Sequence, residues 1–194
     1  MLYKQYEVRQ FDIVGIKGLS ERQIAEHLKL YAGYVKNVNE LMEKLNGSAE
    51  SGLDSYIVAE LRRRIGFEFN GMRLHEYYFG QLEKNDRQAG NGLKLAIEAS
   101  FGSVEEWRLG VTGAASARGI GWVLFLRDRS SNNLLIQWVS DHDIGLLAGV
   151  DIIMALDLWE HAYLLDYLPS AKKDYLGAFF DNLNWSVLES RFSK

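Results

Sequence analysis

Two long helical stretches follow one another near the start of this chain, and that succession constrains its fold more than any other feature. Ser20 is followed three residues later by Gln23, a capping-box spacing that opens a helix. From there Ile24, His27, Leu28, Tyr31, Tyr34, Val35, Val38 and Leu41 recur at intervals of three and four, forming one stripe of an α-helix. Asn46-Gly47 reads as its end, although Asn46-Gly47-Ser48 also matches the glycosylation pattern. A second helical stretch spans residues 54–82, with a break or kink expected between Gly66 and Gly71. Its later part puts His75, Tyr78, Phe79 and Leu82 on one face. Two helices of this length joined by a short loop form an antiparallel hairpin, which would present His27 and His75 to each other.

Beyond the hairpin the pattern changes. Residues 83–92 are polar and contain glycine, the best place for a boundary. Residues 93–100 and 104–116 read as helices, the second opened by Ser103 with Glu106 three residues on. After Gly119-Ile120-Gly121 the period becomes that of strands. Residues 122–127 and 134–140 flank a hairpin turn at Ser130-Ser131-Asn132-Asn133. After a loop at 141–149, an apolar strand at 150–156 delivers Asp157. A helix is expected to begin within 159–165, and a last one runs roughly over 173–182 after the chain's single proline, Pro169. The segment up to Asp12 reads as extended and irregular. The fold class is α+β: an N-terminal long antiparallel α-hairpin domain, residues 1–86, then a C-terminal α/β domain, residues 87–194, with a three-stranded antiparallel sheet.

Composition removes several functions. The chain has no cysteine, so disulfides, thiolate metal sites and thiol catalysis are excluded, and any metal must be held by nitrogen and oxygen. A formal net charge of −4 argues against general nucleic-acid binding, and Arg62-Arg63-Arg64 reads as a solvated helix face. No apolar run is long enough to span a membrane, and residues 1–15 lack the apolar core of a signal peptide. A cytoplasmic protein is expected.

The chemistry concentrates in four histidines, His27, His75, His142 and His161, each in or beside an apolar segment, and in the heptapeptide Asp157-Leu158-Trp159-Glu160-His161-Ala162-Tyr163. Burying an unpaired imidazole is costly. A histidine on an apolar helix face is more often a hydrogen-bonded core residue than a ligand, so the residues alone leave both readings open. Three histidines and one carboxylate would suit iron, manganese or zinc.

The heptapeptide resembles the signature of the iron/manganese superoxide dismutases. Ala99-Ser100-Phe101-Gly102-Ser103, Gly119-Ile120-Gly121-Trp122, Asp174-Tyr175-Leu176, Asn184-Trp185 and Arg191-Phe192 agree with that family in order and approximate spacing. The resemblance covers about residues 20–192. It implies disproportionation of superoxide to oxygen and hydrogen peroxide by one iron or manganese ion per subunit, cycling between M(III) and M(II). It implies His27, His75, Asp157 and His161 as metal ligands, with a water or hydroxide as the fifth. It implies pocket walls from Tyr78, Trp122 and Trp159, and a homodimer, or else a tetramer, in which Glu160 bonds the partner's His161.

The family also places a hydrogen-bonding residue beside the bound solvent. Gly71 occupies the helix position from which a glutamine serves in some members, so the resemblance assigns that role to His142 in the loop after the second strand. Gly71 resembles manganese-type members and the loop histidine resembles iron or metal-tolerant ones, a balance that leans to iron. Tyr34 corresponds to the family's gateway tyrosine, although it follows His27 by seven residues and the family places it one residue further. Leu30, Tyr31 and Ala32 replace the family's histidine pair, and Leu164 replaces a second tyrosine, which removes both ends of one cross-subunit bond. That departure motivates an alternative: a metal-binding protein of the same fold without physiological dismutase activity. A metal-free helical interaction domain is the third reading.

Overall fold

The structure is a computed structural model that describes residues 3–47, 52–83 and 91–194. Helix α1 (Glu21–Asn46) and helix α2 (Ser55–Gly80) form the N-terminal hairpin. Ser20 caps α1, its hydroxyl accepting from Gln23 N at 3.1 Å. The other half of the capping box is taken over from a distance: Ser20 N donates to Asp166 Oδ2 at 2.6 Å rather than to Gln23. Gly47 ends the helix, its N–H donating to Glu43 O; Ser48, the acceptor partner of the glycosylation pattern, lies outside the described residues, as does the boundary expected at 86/87.

The break expected in α2 is absent. The helix runs unbroken through Gly66 and Gly71, and the glycines are there for close approach. A Cβ on Gly71 would sit 2.6 Å from the Tyr34 ring, and one on Gly66 would sit 3.0 Å from Asp143 Oδ2. A helix tolerates a glycine at a cost of about 1 kcal/mol, and here that cost makes room for two neighbouring side chains.

Helices α3 (Asn91–Phe101) and α4 (Val104–Ala115) come next, the latter capped by Ser103, which accepts from Glu106 N at 3.0 Å. Strands β1 (Gly121–Asp128), β2 (Leu134–Ser140) and β3 (Val150–Asp157) form an antiparallel sheet in the order β2-β1-β3. Trp122 on the central strand pairs with Val139 on one side and Asp157 on the other. That register brings Trp122, Asp157 and the loop beginning at Asp141 to the same end of the sheet.

The helix expected to begin within 159–165 is of 3-10 rather than α type and lasts a single turn. The chain there makes one 3-10 turn, Glu160–Ala162, with Ala162 N donating to Trp159 O at 3.0 Å and Tyr163 N to Glu160 O at 3.1 Å. An α-helix would need Leu165 N to reach His161 O. Instead the Gln23 side-chain amide occupies that place, donating to His161 O at 2.6 Å and accepting from Leu165 N at 3.0 Å. The later helix α5 spans Lys172–Asp181. A final helix α6, Trp185–Phe192, capped by Asn184 through Val187 N, was not anticipated.

One apolar core underlies both parts. Leu124, Phe125 and Leu126 of β1, Trp107 of α4, Phe79 of α2 and Phe179 of α5 are fully or nearly fully buried in it. Gln81, just past α2 and fully buried, ties the hairpin to the sheet: its amide donates to Ala155 O and accepts from Ala155 N at 3.2 Å and from Arg191 at 2.9 Å.

Candidate metal centre

Asp157 ends β3 with no exposed surface, and three imidazoles converge on one of its oxygens. Measured to Asp157 Oδ2, His27 Nε2 lies at 3.1 Å, His161 Nε2 at 3.3 Å and His75 Nε2 at 3.7 Å. One donor atom from each of the four residues lies within 4.8 Å of the other three. Donors held about 2.1 Å from a common ion would stand roughly 3–4 Å apart, so the cluster has the dimensions of a coordination shell.

The hydrogen bonding fits an ion better than a hydrogen-bonded core. His75 Nδ1 donates to Gly71 O at 2.6 Å, which in a neutral imidazole leaves Nε2 as a bare lone pair. That Nε2 is fully buried and, among the described residues, has no hydrogen-bond partner. A buried acceptor facing a carboxylate is unfavourable until a cation lies between them. Burial also pushes the His27 and His75 imidazoles down from their ordinary value, the state a metal requires. Burial alone would raise the Asp157 carboxyl, but the charges and hydrogen bonds of His161 and His27 reverse this and hold it well below the carboxylate range.

Two of the ligand candidates are held from outside the cluster. Asp157 Oδ1 accepts from Trp159 N at 2.9 Å, and the Asp157 carbonyl accepts from the Tyr175 hydroxyl at 2.7 Å. Gln23 fixes the backbone at His161. Such outer contacts set ligand orientation and commonly matter nearly as much as the ligands.

Tyr34 and His142 meet beside this cluster, the hydroxyl 2.7 Å from His142 Nε2. The other imidazole nitrogen, Nδ1, receives the Trp122 indole N–H at 2.9 Å. An indole nitrogen only donates, so Nδ1 must accept and the proton of a neutral His142 sits on Nε2. Burial lowers the His142 imidazole to about 4 and raises the Tyr34 phenol above its ordinary range. At neutral pH His142 Nε2–H therefore donates to the Tyr34 oxygen, and the Tyr34 O–H is left to donate elsewhere. The regular helix at seven-residue spacing thus carries Tyr34 to the same side as His27.

Trp159 stacks on both His142 and His161, at centroid distances of 5.0 and 5.6 Å. Tyr78 packs on His27 at 5.1 Å and Trp122 on His75 at 5.1 Å. Phe67, a residue not singled out in the sequence, meets His142 edge-on at 4.6 Å, and Arg64 lies 3.9 Å over its outer face. Of the arginine triplet, Arg63 pairs with Glu60 at the surface, whereas Arg64 pairs with the buried Glu68 at 2.8 Å. The Tyr31 ring stacks on His75 at 6.5 Å, while its hydroxyl donates to Glu76 Oε1 at 3.2 Å and accepts from Arg9 N. Glu160, Leu30 and Leu164 are exposed.

Comparison with known proteins agrees with these features. Residues 89–191 match the model of a family described as iron/manganese superoxide dismutases, C-terminal domain. The chain is 37% identical over 181 residues to an iron superoxide dismutase of Cupriavidus metallidurans, covering 92% of this chain and 90% of that one. It is 35% identical over 176 residues to an iron superoxide dismutase of Methanothermobacter thermautotrophicus, covering 89% and 85%. A manganese superoxide dismutase of Nocardia asteroides is 32% identical over 171 residues, covering 87% and 81%.

Proposed function

We infer function here from family: the chain belongs to the iron/manganese superoxide dismutases, and we propose that it disproportionates superoxide to oxygen and hydrogen peroxide. The observation that carries this reading is the four-residue cluster with its unpartnered His75 Nε2. His27, His75, Asp157 and His161 would hold a single ion through three nitrogens and one oxygen. When bound, that ion supplies one-electron exchange with superoxide, alternating between its trivalent and divalent states.

The remaining chemistry belongs to the protein. Asp157 contributes the one negative charge of the set, which favours the more oxidised ion. Peroxide formation consumes two protons, and Tyr34 is placed to deliver one because its oxygen accepts from His142 while its O–H stays available. Trp122 holds His142 in the tautomer this requires. Trp159, Trp122, Tyr78 and Phe67 wall the pocket, which keeps bulky ligands out while admitting a small anion.

We read iron as the physiological ion. The loop histidine His142 supports that choice, and so do the relatives named as iron enzymes; Gly71 and the relative named for manganese point the other way and keep both ions in the test. We also propose a homodimer in which the exposed Glu160 accepts from the partner's His161, fixing the ring of a ligand from outside the subunit.

The test is superoxide decay followed on chelator-stripped protein reloaded with iron and, separately, with manganese. Activity with iron above that with manganese is expected. Protein that takes up each ion and is inert with both would instead be a metal-binding relative without dismutase activity.

A further inference from the structure

A hollow of about 370 Å³ opens beside α2, lined by Arg9, Arg73, Glu76, Tyr77, Arg191 and Lys194, none of which surrounds Asp157. Four of these side chains are cationic and one is a carboxylate, on a chain whose net charge is −4. The carboxylate is already committed. Glu76 is 7% exposed; its Oε1 accepts from Tyr31, and its Oε2 accepts from Arg73 at 2.7 Å and lies 3.4 Å from Arg9.

Arg191 has no carboxylate partner among the described residues. Its guanidinium is held in place by neutral acceptors, namely Gln81 Oε1 at 2.9 Å, Ile153 O at 3.0 Å and Tyr77 O at 2.9 Å, and lies over the Tyr77 ring. Burial lowers its pKa to about 10, the mark of a charge that lacks compensation. A second hollow shares Arg9, Arg73 and Glu76 and adds both Lys4 and Glu7, so the excess of cations belongs to the first hollow.

We propose that this hollow is a binding site for a dianionic phosphate group, free or carried as a small monoester. Guanidinium forks and an ammonium converge there, the donor set that suits phosphate oxygens. A singly charged carboxylate would leave most of the positive charge unmatched, whereas a dianion with several acceptor oxygens answers it. Nothing in the dismutation reaction uses these residues.

The experiment is calorimetric titration of the metal-loaded protein with inorganic phosphate, and in a second arm with glycerol phosphate, in 0.15 M sodium chloride. One saturable site per chain is expected. Tighter binding of the monoester would identify an esterified ligand, and equal binding a free one. The double variant Arg9→Gln/Lys194→Gln changes two side chains at the rim and should bind at least tenfold more weakly, with its ligand-free melting temperature unchanged as the check on folding. Binding that is unchanged in a folded double variant, or heat indistinguishable from a sodium chloride titration of equal ionic strength, would overturn the proposal.

Discussion

The side-chain amide of Gln23 donates to the backbone carbonyl of His161 at 2.6 Å, across 138 residues of sequence. The first turn of α1 thereby sets the backbone that carries one of the four clustered side chains. Because Gln23 also accepts from Leu165 N, it holds open a turn that would otherwise close into a helix.

Replacing Gln23 with alanine should therefore act at the metal although Gln23 bonds the His161 backbone and not a ligating atom. It removes two part-buried hydrogen bonds, a loss of about 0.5–1.5 kcal/mol for each. Outer contacts of this kind typically change metal affinity about tenfold or more. Metal release measured against a chelator should be faster in Gln23→Ala than in the native chain; equal rates would mean the turn is held by something else.

Gly71→Ala is the smallest test of the hairpin's close approach. The new Cβ would lie 2.6 Å from the Tyr34 ring, so the ring must shift, which is expected to disturb its bond to His142. Overpacking of this sort costs about 1–3 kcal/mol. A lower melting temperature and reduced dismutase activity, with metal content retained, are expected. Native activity in Gly71→Ala would show that Tyr34 can sit elsewhere without consequence.

Tyr34→Phe should keep the ion, since Tyr34 is not among the four clustered residues, while His142 Nε2–H loses its acceptor. The reaction should lose rate mainly where proton delivery limits it, at high pH and high superoxide. Stopped-flow decay across pH separates this from a general loss: a uniform decrease at all pH values would argue against a proton-delivering role.

Acid should destabilise the metal-free protein well above the usual carboxylate range. His27, His75 and His142 all have folded pKa values lowered by burial, His142 to about 4 from 6.5. The folded state then binds fewer protons than the unfolded one, so this stability is fully present above pH 6.5 and is lost as pH falls toward 4. For His142 alone the loss amounts to about 3 kcal/mol. Denaturant midpoints of the chelator-stripped chain should fall steeply over this window, and a flat profile would contradict the neutral buried imidazoles.

The meeting of His27 with His75 was legible in the sequence because helix period and a short connection dictate which faces touch. The strands and Asp157 at the end of the third were legible for the same reason, since alternation and turn residues are local signals. What escaped were partners remote in sequence. Gln23 read only as a cap, Gln81 carried no signal at all, and Phe67 was one aromatic among many; each owes its place to contacts that chain order does not reveal. Gly66 and Gly71 read as helix breakers because glycine weakens helices, whereas tertiary approach by Asp143 and Tyr34 is what selects them. The helix at 160–162 stops after one 3-10 turn, which its local sequence does not show, because the residue that diverts its hydrogen bonds lies at the other end of the chain. Helix α6 has only eight residues, too few for a convincing period.

The central claim is that one redox ion is held by His27, His75, Asp157 and His161. Anomalous diffraction at the iron or manganese edge, from crystals of metal-loaded protein, tests it directly. The predicted result is one peak per chain, bounded by the Nε2 atoms of the three histidines and Asp157 Oδ2 at about 2.1 Å. A peak elsewhere, or none in protein shown to retain its metal, would contradict it.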